Sequence, residues 1–336
     1  MSVQASAPLL EVIDLHKHYP IKGGILGRRL GHIQAVAGVS LSVASGQTLG
    51  LVGESGCGKS TLGRTLMRLE EPTSGQVRFE GQDLLRARGD ELMQLRRDIQ
   101  MIFQDPYSSL NPRMTVGEIV REPLVVHGLG TKAEQIDTVR SLLEKVGLDG
   151  EVMSRYPSEF SGGQRQRIGV ARALTLRPKL VIADEPVSAL DVSVQSQVLN
   201  LMVDLQRDMG LSYIFISHDL SVVQHVSDVV AIMYLGQIVE SGPVASIFKK
   251  AAHPYTRALL QAIPSGDPRN PKRSEPLAGE APSQAERPSG CVFANRCAHA
   301  REDCRQSQPL LTALDSPANA DPAASHQVAC FRLGEI

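Results

Sequence analysis

Four short segments of the chain, in order, have residue types suited to a nucleoside triphosphate. Gly53-Glu54-Ser55-Gly56-Cys57-Gly58-Lys59-Ser60-Thr61 fits G-x-x-x-x-G-K-[ST]. Ser161-Gly162-Gly163-Gln164 follows, Leu180 to Glu185 reads LVIADE, and Ser217-His218-Asp219 closes the series. In the first segment the glycines let backbone N–H groups turn inward around phosphates. The helix N-terminus expected behind it adds further donors and a favourable dipole. Lys59 is expected to reach the β- and γ-phosphates, and the Ser60 hydroxyl to ligate Mg²⁺. A carboxylate at the tip of a buried strand is costly unless it meets a cation. Asp184 is therefore expected in the Mg²⁺ shell, and Glu185 as the general base that polarises the attacking water. This is the chemistry of ATP binding and hydrolysis.

These groups need elements to hold them. The apolar run Gly46 to Val52 reads as a buried strand. Ser60 to Leu69 has helical spacing, with Leu62, Leu66 and Leu69 on one face. That is the strand–loop–helix setting the phosphate-loop motif requires. Leu180 to Ala183 reads as another strand, and Tyr213 to Ile216 as the strand leading to His218. Lys132 to Val146 repeats its apolar residues (Ile136, Val139, Leu142, Leu143, Val146) with helical period and stops at Gly147. A long helix is expected from Val192 to Met209. Residues 9 to about 100 read as strand-rich, about 105 to 175 as helical, and 176 to 262 as alternating. The fold expected is α/β with a parallel core and an inserted helical subdomain. The turn-rich loop Asp105-Pro106-Tyr107-Ser108-Ser109-Leu110-Asn111-Pro112-Arg113 joins core to insert.

In this order and spacing the motifs resemble those of ABC transporter ATP-binding subunits, over roughly residues 9 to 335. The resemblance implies a P-loop NTPase (RecA-like) core with an antiparallel β subdomain, an α-helical subdomain and a small cysteine-containing C-terminal tail domain. The boundaries expected are 1–262 for the nucleotide-binding domain and 263–336 for the extension. Ser161, Gly162, Gly163 and Gln164 match the signature that grips the γ-phosphate on the opposite protomer. Gln104 matches the glutamine that senses Mg²⁺ and the attacking water, and His218 the switch histidine at the γ-phosphate. Asp191, in Ser188-Ala189-Leu190-Asp191, matches the loop that crosses the dimer seam, and Tyr19 the aromatic that stacks on adenine. The chain has one phosphate loop, one SGGQ and no internal repeat. If each ATP lies between two chains, a second copy or a related ATPase must complete the site.

Three features are similar to the peptide and nickel importer branch. They are the Asp105–Arg113 loop, the insertion Pro20 to Ile33, and His253-Pro254-Tyr255-Thr256-Arg257-Ala258-Leu259-Leu260 with the tail after it. This resemblance implies an importer of dipeptides or short oligopeptides, with nickel or another small solute as the alternative cargo. It would contain a periplasmic binding protein, two membrane permease subunits and a heterodimer of this chain with a related ATPase. The chain would then be peripheral, on the cytoplasmic face of the inner membrane.

Composition agrees. A net charge of −1 with 21% charged residues gives no basic stripe, so no nucleic acid partner is expected. Arg28-Arg29 and Arg96-Arg97 read as solvated pairs. No apolar run approaches the ~20 residues that span a bilayer, and MSVQASAPLL has neither the charged nor the apolar region of a signal peptide.

The tail has chemistry of its own. Six prolines between residues 264 and 290 suggest a semi-rigid linker. Cys291, Cys297, Cys304 and Cys330 follow. In a compartment that keeps thiols reduced they argue for a metal site over disulfides. Four thiolates suit tetrahedral Zn²⁺ or a [4Fe–4S] cluster. The spacing lacks the CxxC pairs common in zinc sites, and the resemblance implies iron–sulfur. Either would staple a tail too small for a large core. His299 and His326 read as surface residues. Cys57 reads as a tolerated small residue, in a helix N-terminal environment that can lower a thiol pKa.

Overall fold

The computed structural model describes residues 7–23, 28–263, 287–314 and 325–335. Of the proline-rich stretch 264–290 expected as a linker, residues 264–286 fall outside them. In chain order the elements begin β1 (Leu10–Gly23), β2 (Arg28–Val43), β3 (Thr48–Val52), α1 (Lys59–Leu66), β4 (Ser74–Phe79) and β5 (Gln82–Asp83). Next come α2 (Gly89–Asp98), β6 (Ile99–Ile102), α3 (Val116–Val126), α4 (Lys132–Lys145), α5 (Gly162–Leu174), β7 (Leu180–Asp184), α6 (Val192–Met209) and β8 (Ser212–Ser217). The last set is α7 (Leu220–Val226), β9 (Val229–Tyr234), β10 (Gln237–Pro243), α8 (Val244–Lys249), α9 (Pro254–Gln261), α10 (Glu302–Gln306), β11 (Thr312–Ala313) and β12 (Gln327–Val328). The chain divides into two compact units, Met1–Val43 with Thr48–Leu85 and Ser217–Ile336, and Ala44–Gln47 with Arg86–Ile216.

The first unit contains an antiparallel sheet in the order β2-β1-β4-β5. The insertion at Pro20–Ile33 lengthens its β1–β2 ribbon, in which Tyr19 pairs with Ile33 and Pro20 with His32. Leu10, Val12, Leu15, Val36, Val39, Val77 and Phe79 pack inward from these strands. β3 pairs in parallel with β9, from Leu49↔Val229 to Val52↔Ile232. All five β3 residues, Thr48 among them, are buried, as a parallel strand covered on both faces requires. β9 continues antiparallel to β10. The tail returns to that edge, where β12 pairs with β10 through Glu240↔Val328.

The second unit holds β6, β7 and β8 in parallel register, Ile99↔Leu180 and Leu180↔Ser212. Its helices start and stop where local chemistry directs. Thr115 with Glu118 and Thr131 with Glu134 form capping boxes at α3 and α4. α4 ends at Lys145, capped by Val146 before Gly147, which has φ 74°. α6 is closed by Gly210 at φ 66°. Among the described residues, no helix is long and apolar enough to cross a membrane.

The α/β class, antiparallel sheet, parallel strands and helical insert are as expected. One helix is shorter than its pattern. α1 ends at Leu66, Arg68 takes φ 50°, and Leu69 lies beyond the helix, 50% exposed, while Leu62 and Leu66 are buried.

Candidate functional site

In the first unit, β3 delivers Gly53 to the start of a loop that turns through Gly56 at φ 78° and Gly58 at φ 111° into α1. A Cβ on Gly53 would lie 2.2 Å from the Met233 carbonyl oxygen, and one on Gly58 2.0 Å from that of Ala35. The motif's outer glycines are therefore imposed by neighbouring backbone. No side chain caps α1 and no acidic residue stands in its first turn, which suits a helix end that receives an anion. The Lys59 ammonium, 4% exposed, donates to the carbonyls of Gly53 at 2.7 Å and Glu54 at 3.0 Å. It is folded back across the loop, within reach of any phosphate the loop encloses.

Cys57 is 4% exposed and its peptide carbonyl accepts from Gly236 N–H. Burial pushes its thiol pKa up, more than the adjacent Lys59 lowers it. The lowered pKa that a helix N-terminus suggested is thus overturned, because desolvation outweighs the dipole. Tyr19 is half-buried. Its hydroxyl donates to Glu70, and the Lys17 ammonium sits 5.0 Å from its ring centroid. His218 is exposed just after β8, where Asp219 accepts from Ser221 N–H and caps α7.

In the second unit, Asp184 ends β7 at 2% exposure, a hard oxygen donor suited to Mg²⁺. Glu185 takes φ 46°, a left-handed conformation that costs energy in a residue with a Cβ. Its N–H donates to the Ile216 carbonyl at 3.0 Å. Gln104, just after β6, donates from Nε2 to Glu185 Oε2 at 3.0 Å. The glutamine and the carboxylate, both singled out from the sequence, are thus joined directly.

The SGGQ segment opens α5. Ser161 Oγ accepts from Gln164 N–H at 3.4 Å, and the Gln164 side chain accepts from Ser161 N–H at 3.0 Å. Gly163 lets α5 meet α6, since a Cβ there would lie 2.3 Å from Val194 Cγ1. Gly162 faces Leu190 and the Tyr107 hydroxyl. The Arg165 guanidinium covers the Tyr107 ring at 4.2 Å. Asp191 stands at the N-terminus of α6 and makes no cap bond with its side chain.

The tail residues lie in the first unit. None of the four cysteines is joined in a disulfide. Burial pushes the Cys291 thiol up to about 11, with Cys304, Cys330 and Cys297 adding to the effect. Cys291 N–H donates to the Cys304 carbonyl at 2.7 Å. A single tetrahedral zinc needs thiolates about 3.8 Å apart, given Zn–S near 2.3 Å. Among the described residues no three His, Cys, Asp or Glu side chains stand so as to hold one ion.

His326, read as a surface residue, is 11% exposed. Its Nε2 donates to Glu240 Oε1 at 2.7 Å. Glu240, fully buried, also accepts from the N–H groups of Ala252 and His253 at 2.7 and 3.0 Å. Its tertiary partners, and not its position in the sequence, bury it.

Two contacts at the phosphate loop had no sign in its motif. The Tyr255 hydroxyl accepts from Glu54 N–H, and the Arg296 guanidinium holds the Glu54 carboxylate. Burial alone would lower the Arg296 pKa, yet its bonds to Glu54 and Tyr234 hold it above the ordinary range. Tyr255 lies in the His253–Leu260 run and Arg296 directly precedes Cys297, but neither is marked there as a loop partner.

The comparisons agree with this geometry. Residues 36–188 match the ABC transporter family and 239–304 match the oligopeptide/dipeptide transporter C-terminal region. The oligopeptide transport ATP-binding protein AppF of Bacillus subtilis is 49% identical over 98% of this chain and 99% of its own length. The dipeptide transport ATP-binding protein DppF of Escherichia coli is 52% identical over 90% of this chain and 91% of its own. Among solved structures, the dimeric ATP-binding cassette MJ0796 bound to ADP and Pi superimposes with a TM-score of 0.62 at 28% identity, covering 70% of this chain and 98% of that one. The chain belongs to the ABC transporter ATP-binding proteins, which hydrolyse ATP, and to the branch that carries the oligopeptide/dipeptide transporter C-terminal region.

Proposed function

We propose that the chain powers uptake of dipeptides or short oligopeptides by hydrolysing ATP in a heterodimer with a related ATPase. The match of residues 239–304 to the oligopeptide/dipeptide transporter C-terminal region carries the cargo assignment. The Gln104–Glu185 hydrogen bond supports this reading, in which Glu185 is the general base and Gln104 helps orient the attacking water. In this reading Lys59 and the first turn of α1 bind the phosphates, Ser60, Gln104 and Asp184 serve Mg²⁺, and Tyr19 stacks on adenine. Ser161, Gly162, Gly163 and Gln164, with Asp191, serve the nucleotide bound to the partner ATPase, and His218 contacts the γ-phosphate. Residues 1–262 form the ATPase domain and 263–336 its extension. Two membrane permease subunits anchor the pair at the cytoplasmic face of the inner membrane, and a periplasmic binding protein presents the peptide.

The test is ATPase activity of the purified assembly with and without dipeptide-loaded binding protein. Stimulation that disappears with Lys59→Ala is expected. Activity indifferent to peptides but raised by a nickel chelate would move the cargo to that solute.

We further propose that Cys291, Cys297, Cys304 and Cys330, four thiols within one short tail, hold a [4Fe–4S] cluster, with tetrahedral Zn²⁺ as the alternative. When bound, the cluster would cross-link the tail. Chain purified without oxygen is expected to carry iron and acid-labile sulfide in equal amounts, lost together with Cys304→Ser. Stoichiometric zinc without sulfide would replace the cluster with Zn²⁺.

A further inference from the structure

The Arg296 side chain of the tail reaches the phosphate loop. Arg296 Nη1 donates to Glu54 Oε2 at 2.8 Å and Nη2 to Oε1 at 3.1 Å, a two-pronged pairing that fixes direction as well as charge. The Arg296 side chain is 7% exposed and that of Glu54 28%. Arg296 comes from a 3₁₀ turn at Ala294–Arg296. Phe293 anchors that turn, its ring 5.3 Å from Tyr234 and 5.5 Å from Tyr255. Arg296 Nη1 also lies 3.4 Å from the Tyr234 hydroxyl. Glu54 is held at its other polar groups too. Its N–H donates to the Tyr255 hydroxyl at 2.9 Å, and its carbonyl accepts from Lys59 at 3.0 Å.

A carboxylate is an odd occupant of a loop whose work is to gather N–H donors around a polyanion. Unpaired, its charge opposes the phosphates, and the opposition is strongest where water is scarce. The Arg296 guanidinium is buried beside Tyr234, and it offsets the charge of the partly exposed carboxylate and turns it toward the tail.

We infer that Arg296 is a positioning residue for ATP binding, which acts by neutralising Glu54 and holding it away from the phosphate loop's interior. The inference rests on the reading of Gly53–Thr61 as the ATP phosphate loop. Arg296 acts through Glu54 and takes no part in the chemical step.

A double-mutant cycle tests it, with equilibrium titration of the full-length chain by a fluorescent ATP analogue and turnover measured in parallel. Arg296→Gln is expected to weaken binding about tenfold and to raise KM with kcat nearly unchanged, as loss of uniform binding does. In the E54Q background the same substitution should change affinity less than about twofold, since the charge it answers is gone. Arg296→Lys should recover part of the loss, because it restores the charge without the fork. Equal losses in both backgrounds would overturn the inference, making Arg296 a packing residue. So would wild-type affinity in Arg296→Gln. Lys59→Ala separates the two layers. If it binds the analogue as wild type does, the phosphate-loop reading itself fails. If it loses binding while Arg296→Gln does not, only the role of Arg296 fails.

Discussion

Glu185→Gln lowers ATP turnover by roughly 10²–10⁴-fold if Glu185 is the general base, the range that loss of such a group produces. The substitution is nearly isosteric, and the Glu185 N–H bond to Ile216 belongs to the backbone and persists. The Gln104 amide, now 3.0 Å from a carboxylate oxygen, keeps an acceptor in the carboxamide oxygen. What disappears is the ability to take a proton from water. Binding is therefore expected to survive while hydrolysis stops, and ATP-bound dimers should accumulate. Single-turnover hydrolysis at saturating ATP, with nucleotide affinity and dimer mass measured on the same sample, checks this. Turnover within a few-fold of wild type would remove Glu185 from the role. Loss of binding as well would show that its left-handed backbone, φ 46°, cannot accept the change.

Gly58→Ala abolishes nucleotide binding, with affinity falling by about 100-fold or more. Two independent constraints meet at this position. Its φ of 111° is a conformation that residues with a Cβ rarely adopt, and the added Cβ would stand 2.0 Å from the Ala35 carbonyl oxygen. The obstacle is backbone in β2, so no side chain can swing aside. Relief requires the loop to move away from β2, taking the first turn of α1 and Lys59 with it. Gly56→Ala is the control. That glycine also has positive φ, 78°, but nothing lies within 4 Å of the place a Cβ would take, so only the conformational cost of about 1–2 kcal/mol applies. ATP titration and thermal melting of both variants check the contrast. Equal affinities in the two would show that the β2 contact yields easily.

The two units differ in how their parts could be read from the chain. β3, β7 and β8 are mostly apolar, with Thr48, Asp184, Ser212 and Ser217 as their buried polar residues, and the burial of their apolar stretches follows from composition. α4 follows from 3.6-residue periodicity with Gly147 as its stop, and α6 spans the helical stretch expected from Val192 to Met209. The glycines and lysine of the phosphate loop could be read because the same short stretch supplies both the turn and the ligand groups. Each of these rests on interactions within a few residues, where steric limits, hydrogen-bond capping and the helix dipole act between near neighbours.

The chain order alone was silent on what arrives from far along it. Glu54 and Arg296 are 242 residues apart, and Glu240 and His326 are 86 apart. No local pattern marks such pairs, because their energy depends on which surfaces the fold brings together and how much water it leaves there. The same holds for Cys57. Its place before a helix suggests a lowered pKa, but burial under the loop raises it. The chemistry of the ATP site was thus written into contiguous residues. Which charges surround that chemistry, and how far they are removed from water, came only from packing between distant segments.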